Sequence, residues 1–555
     1  MKRPELSEMT LEEKIGQLLM PSQYMLFTKT VDGVDVQRSK KEIKEILKKY
    51  QYGSLWGMGT LRIKGANMAE ARDDKSITAS ELKKFYNDIS EYVRIPMLIG
   101  VDCENGCKLT EEGTSVSGAM AIGAADDEEL TYELAQAVAK EIKTTGANWR
   151  WSPVVDMVNR FCGISFGRTY SDDPDKIVKH AVSAIRGTES VGVATTVKHF
   201  PGIDPYEIRD SHFTDTCINI SLEEWRNTQA KTFKGVIDNG VDSVMVGHSA
   251  FPAADDTMIN GKYIPSTFSK KIIQGHLREE MGVDGVVITD GIVMGSITTL
   301  CPYEEMLVRL INAGNDVLLG TKAYDGDIVK KAVIDGRIPM ERINESAERV
   351  LKLKEKIGLF DDISEEEIDI NEQALKTRAI DRKIAEKSIT LVRDRQKMLP
   401  LNKENIKKVT IVCSSHFSET IKEIEVMKQE FEKRGAKVQI IEKLTDLETI
   451  AKENDLIIYA VYIAPHRPMG MPSLYGEKIE TYFSAFTLGK EKSIGVSMGY
   501  PYVHFDFMGG ADPFLNIYST NPEALKAFVK ALYGEITPTT KSSVDIDPKI
   551  RCVYG

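Results

Sequence analysis

GVVITD, residues 285–290, decides the fold: a short run of β-branched residues without polar alternation, ending in a carboxylate. A strand that never alternates is buried on both faces, as in a parallel sheet covered by helices. The same form recurs on the N-terminal side. PMLIGVD occupies 96–102, WSPVVD 151–156, VATTVKH 193–199 and SVMVGH 243–248. Further strand candidates at Ser54–Met58 and Asp316–Leu319 extend the series at its two ends. Within it the strands are read at Pro96–Val101, Trp151–Val155, Val193–Val197, Ser243–Val246 and Val286–Thr289.

Amphipathic helices separate these runs. Thr10 and Glu13 have the spacing of a capping box ahead of Leu11, Ile15, Leu18 and Leu19. Ser80 is placed to cap a helix carrying Leu82, Phe85, Ile89 and Val93. Asp127 is placed to cap one carrying Leu130, Leu134, Val138 and Ile142, which Gly146 ends. Ser221 and Glu224 form another box. Repeated βα units predict a (β/α)8-type barrel over residues 1–360, with a doubly wound sheet as the competing arrangement. Residues 361–385 are charged and helical in pattern, a linker and lead-in helix. From 386 to 555 apolar runs return at Ile389–Val392, Val409–Val412, Val438–Ile441, Leu456–Tyr462 and Ser493–Ser497. The helix Pro522–Leu532 and a polar tail follow. The expected class is α/β, a barrel followed by a second α/β domain.

Composition narrows the function. A chain of 555 residues has room for two or three domains. With 42% hydrophobic and 28% charged residues it is globular rather than disordered. Its net charge of −11, from 72 basic against 83 acidic residues, offers no basic face to nucleic acid or to an anionic membrane. No run approaches the ~18 apolar residues of a membrane span. The opening MKRPELSEMTLEEKIGQLLM has neither the apolar core nor the cleavage site of a signal peptide. The seven cysteines, at 103, 107, 162, 217, 301, 413 and 552, are scattered and odd in number. That fits reduced thiols in a cytoplasm. Cys103 and Cys107 lack the second Cys or His pair of a tetrahedral site, so no metal is expected.

The strands end in chemistry. Asp102, Asp156, Lys198 with His199, His248 and Asp290 each stand just past an apolar run, and the C-terminal ends of barrel strands line an active-site mouth. One charge there is ordinary solvation; an alternating series marks a site. VKHFPGIDPYEIRDSH, residues 197–212, is the richest stretch. Pro201, Gly202 and Pro205 force a loop, which carries Asp210 and His212. A carboxylate beside an imidazole fixes its tautomer and raises its basicity; read plainly, this is a turn in which Asp210 caps a helix and His212 is a surface residue. Asp290, followed by Gly291, suits a nucleophile, a base or a helix cap. Asp102 and Glu104 flank Cys103. GRTYSDDP, residues 167–174, puts Arg168 on a loop, as a hydroxyl clamp or a structural ion-pair partner.

Together these motifs resemble the β-N-acetylhexosaminidases of glycoside hydrolase family 3 over nearly the whole chain. MTLEEKIGQLLM is similar to that family's first helix. LIGVDCENG is similar to its sugar-binding strand end, and WSPVVDM and GRTYSDDP to its third strand and arginine loop. KHFPG followed by DSH resembles its signature, and VVITDGIVMGSI its nucleophile strand. INAGNDVLLG, SITLVRDRQKMLPL and GADPFLNIYS resemble later segments of two-domain members. The resemblance implies an exo-acting, retaining enzyme that removes terminal β-linked N-acetylglucosamine, with no cofactor. Asp290 would be the nucleophile, His212 the acid/base and Asp210 its support. Asp102, Arg168, Lys198 and His199 would hold the sugar. The implied partner is an oligosaccharide or aminosugar glycoside, with no nucleic acid and no membrane. Three alternatives stay open: a phosphorylase passing the same sugar to phosphate, a family 3 β-glycosidase for another sugar, and an inert sugar-binding relative.

Overall fold

In a computed structural model, which describes residues 2–32, 34–58, 77–157, 160, 165–204, 206–361, 367–415, 419–442, 446–463, 490–506 and 511–546, the chain forms two compact units. The first comprises Met1–Ser115, Thr131–Asp156 and Ala181–Thr377; the second comprises Val116–Leu130, Met157–His180 and Arg378–Gly555. Cys162, Cys552, Pro205, residues 362–366 of the linker and the tail beyond 546 lie outside the described residues.

The first unit is a closed parallel barrel. Its strands are β1 (Leu19–Pro21), β2 (Ser54–Trp56), β3 (Leu98–Val101), β4 (Trp149–Arg150), β5 (Ala194–Phe200), β6 (Ser243–Val246), β7 (Val286–Thr289) and β8 (Leu318–Thr321). β2 to β7 pair side by side in chain order, all parallel. β8 pairs parallel with β1, Leu19 opposite Leu318. Parallel bridges Ser22–Trp56 and Ile288–Val317 join that pair to both ends of the sheet. This closure excludes the doubly wound alternative for the first unit. It also adds a strand that periodicity hides: Leu18, Leu19 and Met20 read as one apolar helix face, but the helix Leu11–Leu18 stops where β1 begins.

Several boundaries shift for local reasons. Thr78, not Ser80, caps the helix Ala79–Ser90, because the box partner three residues on is Glu81. β4 is Trp149–Arg150 rather than Trp151–Val155: Pro153 has no N–H to give a ladder, and only Val154 bridges, to Lys198. β5 runs on through Lys198 and His199, past the predicted end at Val197. β8 starts two residues later than predicted. The capping box at Thr10 and Glu13 forms as expected, with Glu13 N donating to Thr10 Oγ1 at 3.2 Å and Thr10 N to Glu13 Oε2 at 2.8 Å.

Met20, Leu98, Trp149, Trp151, Met245, Ile288 and Leu319 fill the barrel interior. Trp149 is wholly enclosed, and its Nε1–H donates to Thr196 Oγ1 at 2.8 Å and Ser243 Oγ at 3.1 Å. The bulk is therefore buried without an orphaned donor. Among the described residues no helix is long and apolar enough to cross a membrane.

The second unit carries a six-stranded sheet of β9 (Thr390–Arg393), β10 (Lys408–Ser415), β11 (Lys437–Ile441), β12 (Leu456–Tyr462), β13 (Ser493–Ser497) and β14 (Phe514–Asn516). The order is β9-β14-β13-β12-β10-β11, with only β9 antiparallel to its neighbour. Apart from that edge it is a doubly wound sheet. One face packs Ile411, Ile458, Val496 and Leu515 against Phe431 and Phe528. The other packs Val412, Tyr459 and Phe514 against Met120, Phe166 and Tyr500. β14 was not foreseen, being only three residues long. The helix Pro522–Leu532 has its predicted bounds.

Candidate active site

The ends of β3, β5, β6 and β7 converge on one set of polar side chains. Asp290 follows β7 directly. Its Oδ1 accepts from Gly291 N at 2.7 Å. Burial opposes its ionisation, but the facing imidazoles of His199, His248 and His212, with the Gly291 N–H, outweigh burial and hold the carboxyl at about 2. Asp290 is therefore an anion at any ordinary pH.

His248, two residues past β6, lies beneath it. Its Nε2 is 3.1 Å from the Gly291 carbonyl and its Nδ1 2.9 Å from Thr267 Oγ1. That pattern makes Nε2–H the donor and Nδ1 the acceptor. Burial pushes this imidazole below its ordinary value, and its Nε2–H fixes the Gly291 carbonyl next to Asp290.

The loop after β5 carries the second group. It is tied to its surroundings: Trp225 Nε1 donates to Pro201 O at 2.8 Å and Gln229 Nε2 to Ile203 O at 2.7 Å. Gly202 has φ +112°, and a β-carbon there would strike Gln229. Asp204 Oδ2 accepts from Asn219 N at 2.5 Å, and Glu207 Oε2 from Cys217 N at 3.1 Å, which closes the loop on itself. Within it Asp210 Oδ1 accepts from His212 N at 2.8 Å and lies 2.7 Å from His212 Nδ1. The dyad is thus present, and Asp210 closes a turn rather than capping a helix. With Nδ1–H on Asp210, Nε2 is left for a substrate. Gly295 N donates to His212 O at 2.8 Å, and Ser296 N to Ser211 O at 3.2 Å, so the stretch after Asp290 holds the dyad alongside it.

At the end of β5, Lys198 Nζ lies 3.1 Å from Asp102 Oδ1 and 2.8 Å from Glu104 Oε1. The Lys198 side chain is only 2% exposed whereas that of Asp102 is 58% exposed. The carboxylate, not the ammonium, faces outward. Arg150 Nε and Nη2 donate to the carbonyls of Cys103 and Glu104 at 3.0 and 3.2 Å, bracing that turn. His199 Nδ1 is 2.7 Å from the buried Asp156 Oδ2, a second imidazole–carboxylate pair.

The structure therefore brings together Asp102, Lys198, His199, Asp210, His212 and Asp290. Arg168 belongs to the second unit, half-buried, its N–H on the Ser165 carbonyl at 3.3 Å. The role of Arg150 was not anticipated, because it lies inside a strand; the sequence series had marked Asp156 and His248 by position without a function. Among the described residues no three His, Cys, Asp or Glu side chains converge as a metal site.

A barrel with an ionised carboxylate at one strand end and a carboxylate-backed imidazole beside it is the layout of a glycoside-cleaving enzyme. Residues 10–353 match the glycosyl hydrolase family 3 N terminal domain, and the chain belongs to that family of glycoside hydrolases. It is 25% identical over 503 residues to a beta-N-acetylglucosaminidase/beta-glucosidase of Cellulomonas fimi, spanning 85% of this chain and 87% of that protein. It is 32% identical over 247 residues to a beta-hexosaminidase of Stenotrophomonas maltophilia (strain K279a), spanning 42% of this chain and 70% of that one. In fold it is similar to a beta-glucoside phosphorylase, with TM-score 0.82 and 24% identity over 98% of this chain and 94% of the other. It is also similar to a family 3 beta-N-acetylglucosaminidase from Paenibacillus sp. str. FPU-7, with TM-score 0.79 and 24% identity over 97% and 99%.

Proposed function

We propose that the protein is an exo-acting, retaining β-N-acetylhexosaminidase that releases terminal β-linked N-acetylglucosamine from oligosaccharide or aminosugar glycosides. The observation that carries this reading is the Asp210–His212 pair held next to an ionised Asp290. The sugar itself is suggested by the names of the hexosaminidase relatives.

In the first step Asp290 attacks the anomeric carbon and forms a glycosyl ester. His212 passes its Nε2 proton to the departing oxygen as that bond breaks. In the second step neutral His212 takes a proton from water as the water oxygen displaces the Asp290 carboxylate, and β-configured sugar leaves. Asp210 keeps the Nδ1 proton in place throughout. Asp102, positioned by Lys198, accepts hydrogen bonds from sugar hydroxyls. His199, oriented by Asp156, lies on the Asp290 side of the sugar.

His212→Ala tests the reading. It lowers kcat/KM by ~10²–10⁴ on a phenyl glycoside, whose leaving group needs a proton, and far less on a dinitrophenyl glycoside. Equal losses on both would contradict it. Repeating the wild-type assay in phosphate and in a phosphate-free buffer of equal ionic strength sets the acceptor: free sugar in both marks a hydrolase, and sugar 1-phosphate a phosphorylase.

A further inference from the structure

We infer that Ser296 is a positioning residue for the Asp210–His212 pair, its hydroxyl being the hydrogen-bond donor that Asp210 Oδ2 takes. The inference rests on the acid/base reading of His212.

Asp210 is buried, and its two oxygens are unequal. Oδ1 takes both bonds from His212, at 2.8 and 2.7 Å. Oδ2 is enclosed and has no partner among the described residues. A buried carboxylate oxygen without a donor is costly, more so than a neutral acceptor. Ser296, itself 2% exposed, has the complementary fault: its Oγ is enclosed and unpartnered.

The two faults lie on adjoining stretches. Ser296 N donates to Ser211 O at 3.2 Å and Gly295 N to His212 O at 2.8 Å, so residues 210–212 and 295–296 run against each other. A β-carbon at position 295 would collide with the Phe213 backbone, so glycine there sets how closely they approach. A serine hydroxyl has three staggered positions about Cα–Cβ. The one turned toward Asp210 satisfies both orphaned atoms with a single bond.

The consequence for catalysis follows from charge. With a donor on Oδ2, the carboxylate shares its charge between two sets of bonds and its plane is fixed, which keeps His212 Nε2 aimed at the leaving oxygen. Without it, the charge concentrates on the Nδ1–H contact and favours imidazolium over imidazole. The first step tolerates that; the second, which needs the neutral base, does not. Among the described residues, Asp290 and His248 are charged or titratable groups that face His212, with His199 beyond Asp290. None is altered by a change at Ser296.

The experiment compares Ser296→Ala, Ser296→Gly and Ser296→Thr on aryl β-N-acetylglucosaminides. We expect Ala and Gly to move the alkaline limb of the kcat/KM profile upward by about half a pH unit or more. They should also lower kcat on the dinitrophenyl substrate, where the second step limits, by ~10-fold. Thr, which keeps the hydroxyl, should restore both. In an Asp210→Ala background Ser296→Ala should change nothing further. An unchanged pH profile, or the same loss in both backgrounds, overturns the assignment. So does loss of folded protein in both Ala and Gly variants, which would give the hydroxyl to the scaffold. If these results go against Ser296 while His212→Ala keeps its leaving-group dependence, the positioning role alone falls. If that dependence is absent, the acid/base reading has failed instead.

Discussion

Lys198 shows how burial bears on a residue expected at the sugar site. The family resemblance implied that it holds the sugar; in the fold its ammonium is enclosed between Asp102 and Glu104 while Asp102 faces out. Removing Lys198 takes this cation from Glu104, whose side chain is only 17% exposed, at a cost of up to about 3 kcal/mol. We therefore expect Lys198→Ala to lower both kcat/KM and thermal stability. Asp102→Asn, at an exposed side chain, should lower kcat/KM and leave the melting temperature within a degree or two of wild type. Melting curves beside kinetics check this; a Lys198→Ala protein of wild-type stability would return Lys198 to the substrate. The spacing Asp-x-His made the Asp210–His212 pair legible, since both ends lie on one loop. The His199–Asp156 pair was not legible as a pair, because its members end different strands and meet only when the barrel closes.

At the scale of elements, apolar runs located most strands, and β6, β7, β12 and β13 have their predicted bounds. What escaped was short or continuous with something else: β1 merges with the apolar face of the preceding helix, and β14 spans three residues. Helix packing also holds features no pattern discloses. Asp316, ahead of β8, is fully buried and bonded by Arg278 at 2.5 Å, Arg349 at 3.2 Å, Arg342 and the Val287 N–H. Lys354 of the helix Met340–Lys356 is wholly buried, with Gln17 Oε1 of the first helix at 2.6 Å as its bond partner. Burial alone pushes this amine well below its ordinary range. The folded chain thus holds that proton less tightly than the unfolded chain, and stability from this group rises with pH toward the unfolded lysine value. Lys354→Met should stabilise the protein at pH 7 by ~1 kcal/mol or more, net of the lost bond to Gln17. The gain should shrink as the pH approaches 10. Denaturant melts at pH 7 and pH 9.5 decide it; a destabilised variant at both would show that the lysine is an asset.

Over the whole chain, the second unit joins stretches hundreds of residues apart. Asp381 accepts from Ser117 N at 2.7 Å and from Asn521 Nδ2 at 3.2 Å. Asn521 also caps the last helix through Ala524 N at 2.8 Å. Charge and periodicity read 361–385 as a linker with a lead-in helix, and the helix Ile370–Ser388 is there. Nothing local indicated that its Asp381 would close so long a loop. Burial raises this carboxyl to about 6 despite those bonds. The folded chain holds the proton more tightly than the unfolded chain. Its contribution is therefore complete at acid pH and declines as the pH rises from about 4 through about 6. Asp381→Asn should flatten that decline, a difference of at most about 3 kcal/mol between pH 4 and pH 8. Stability curves that run parallel for wild type and variant across this range would contradict the buried-proton account.

The central claim, that Asp290 is the nucleophile of a retaining glycosidase, is tested most directly by trapping. A 5-fluoro N-acetylglucosaminyl fluoride combines a good leaving group with a ring that resists the second step, so the glycosyl-enzyme accumulates. Peptide mass mapping of the inactivated protein should find one sugar esterified to Asp290, and Asp290→Ala should be neither labelled nor active. Sugar on another carboxylate, or an active Asp290→Ala protein, would contradict the account.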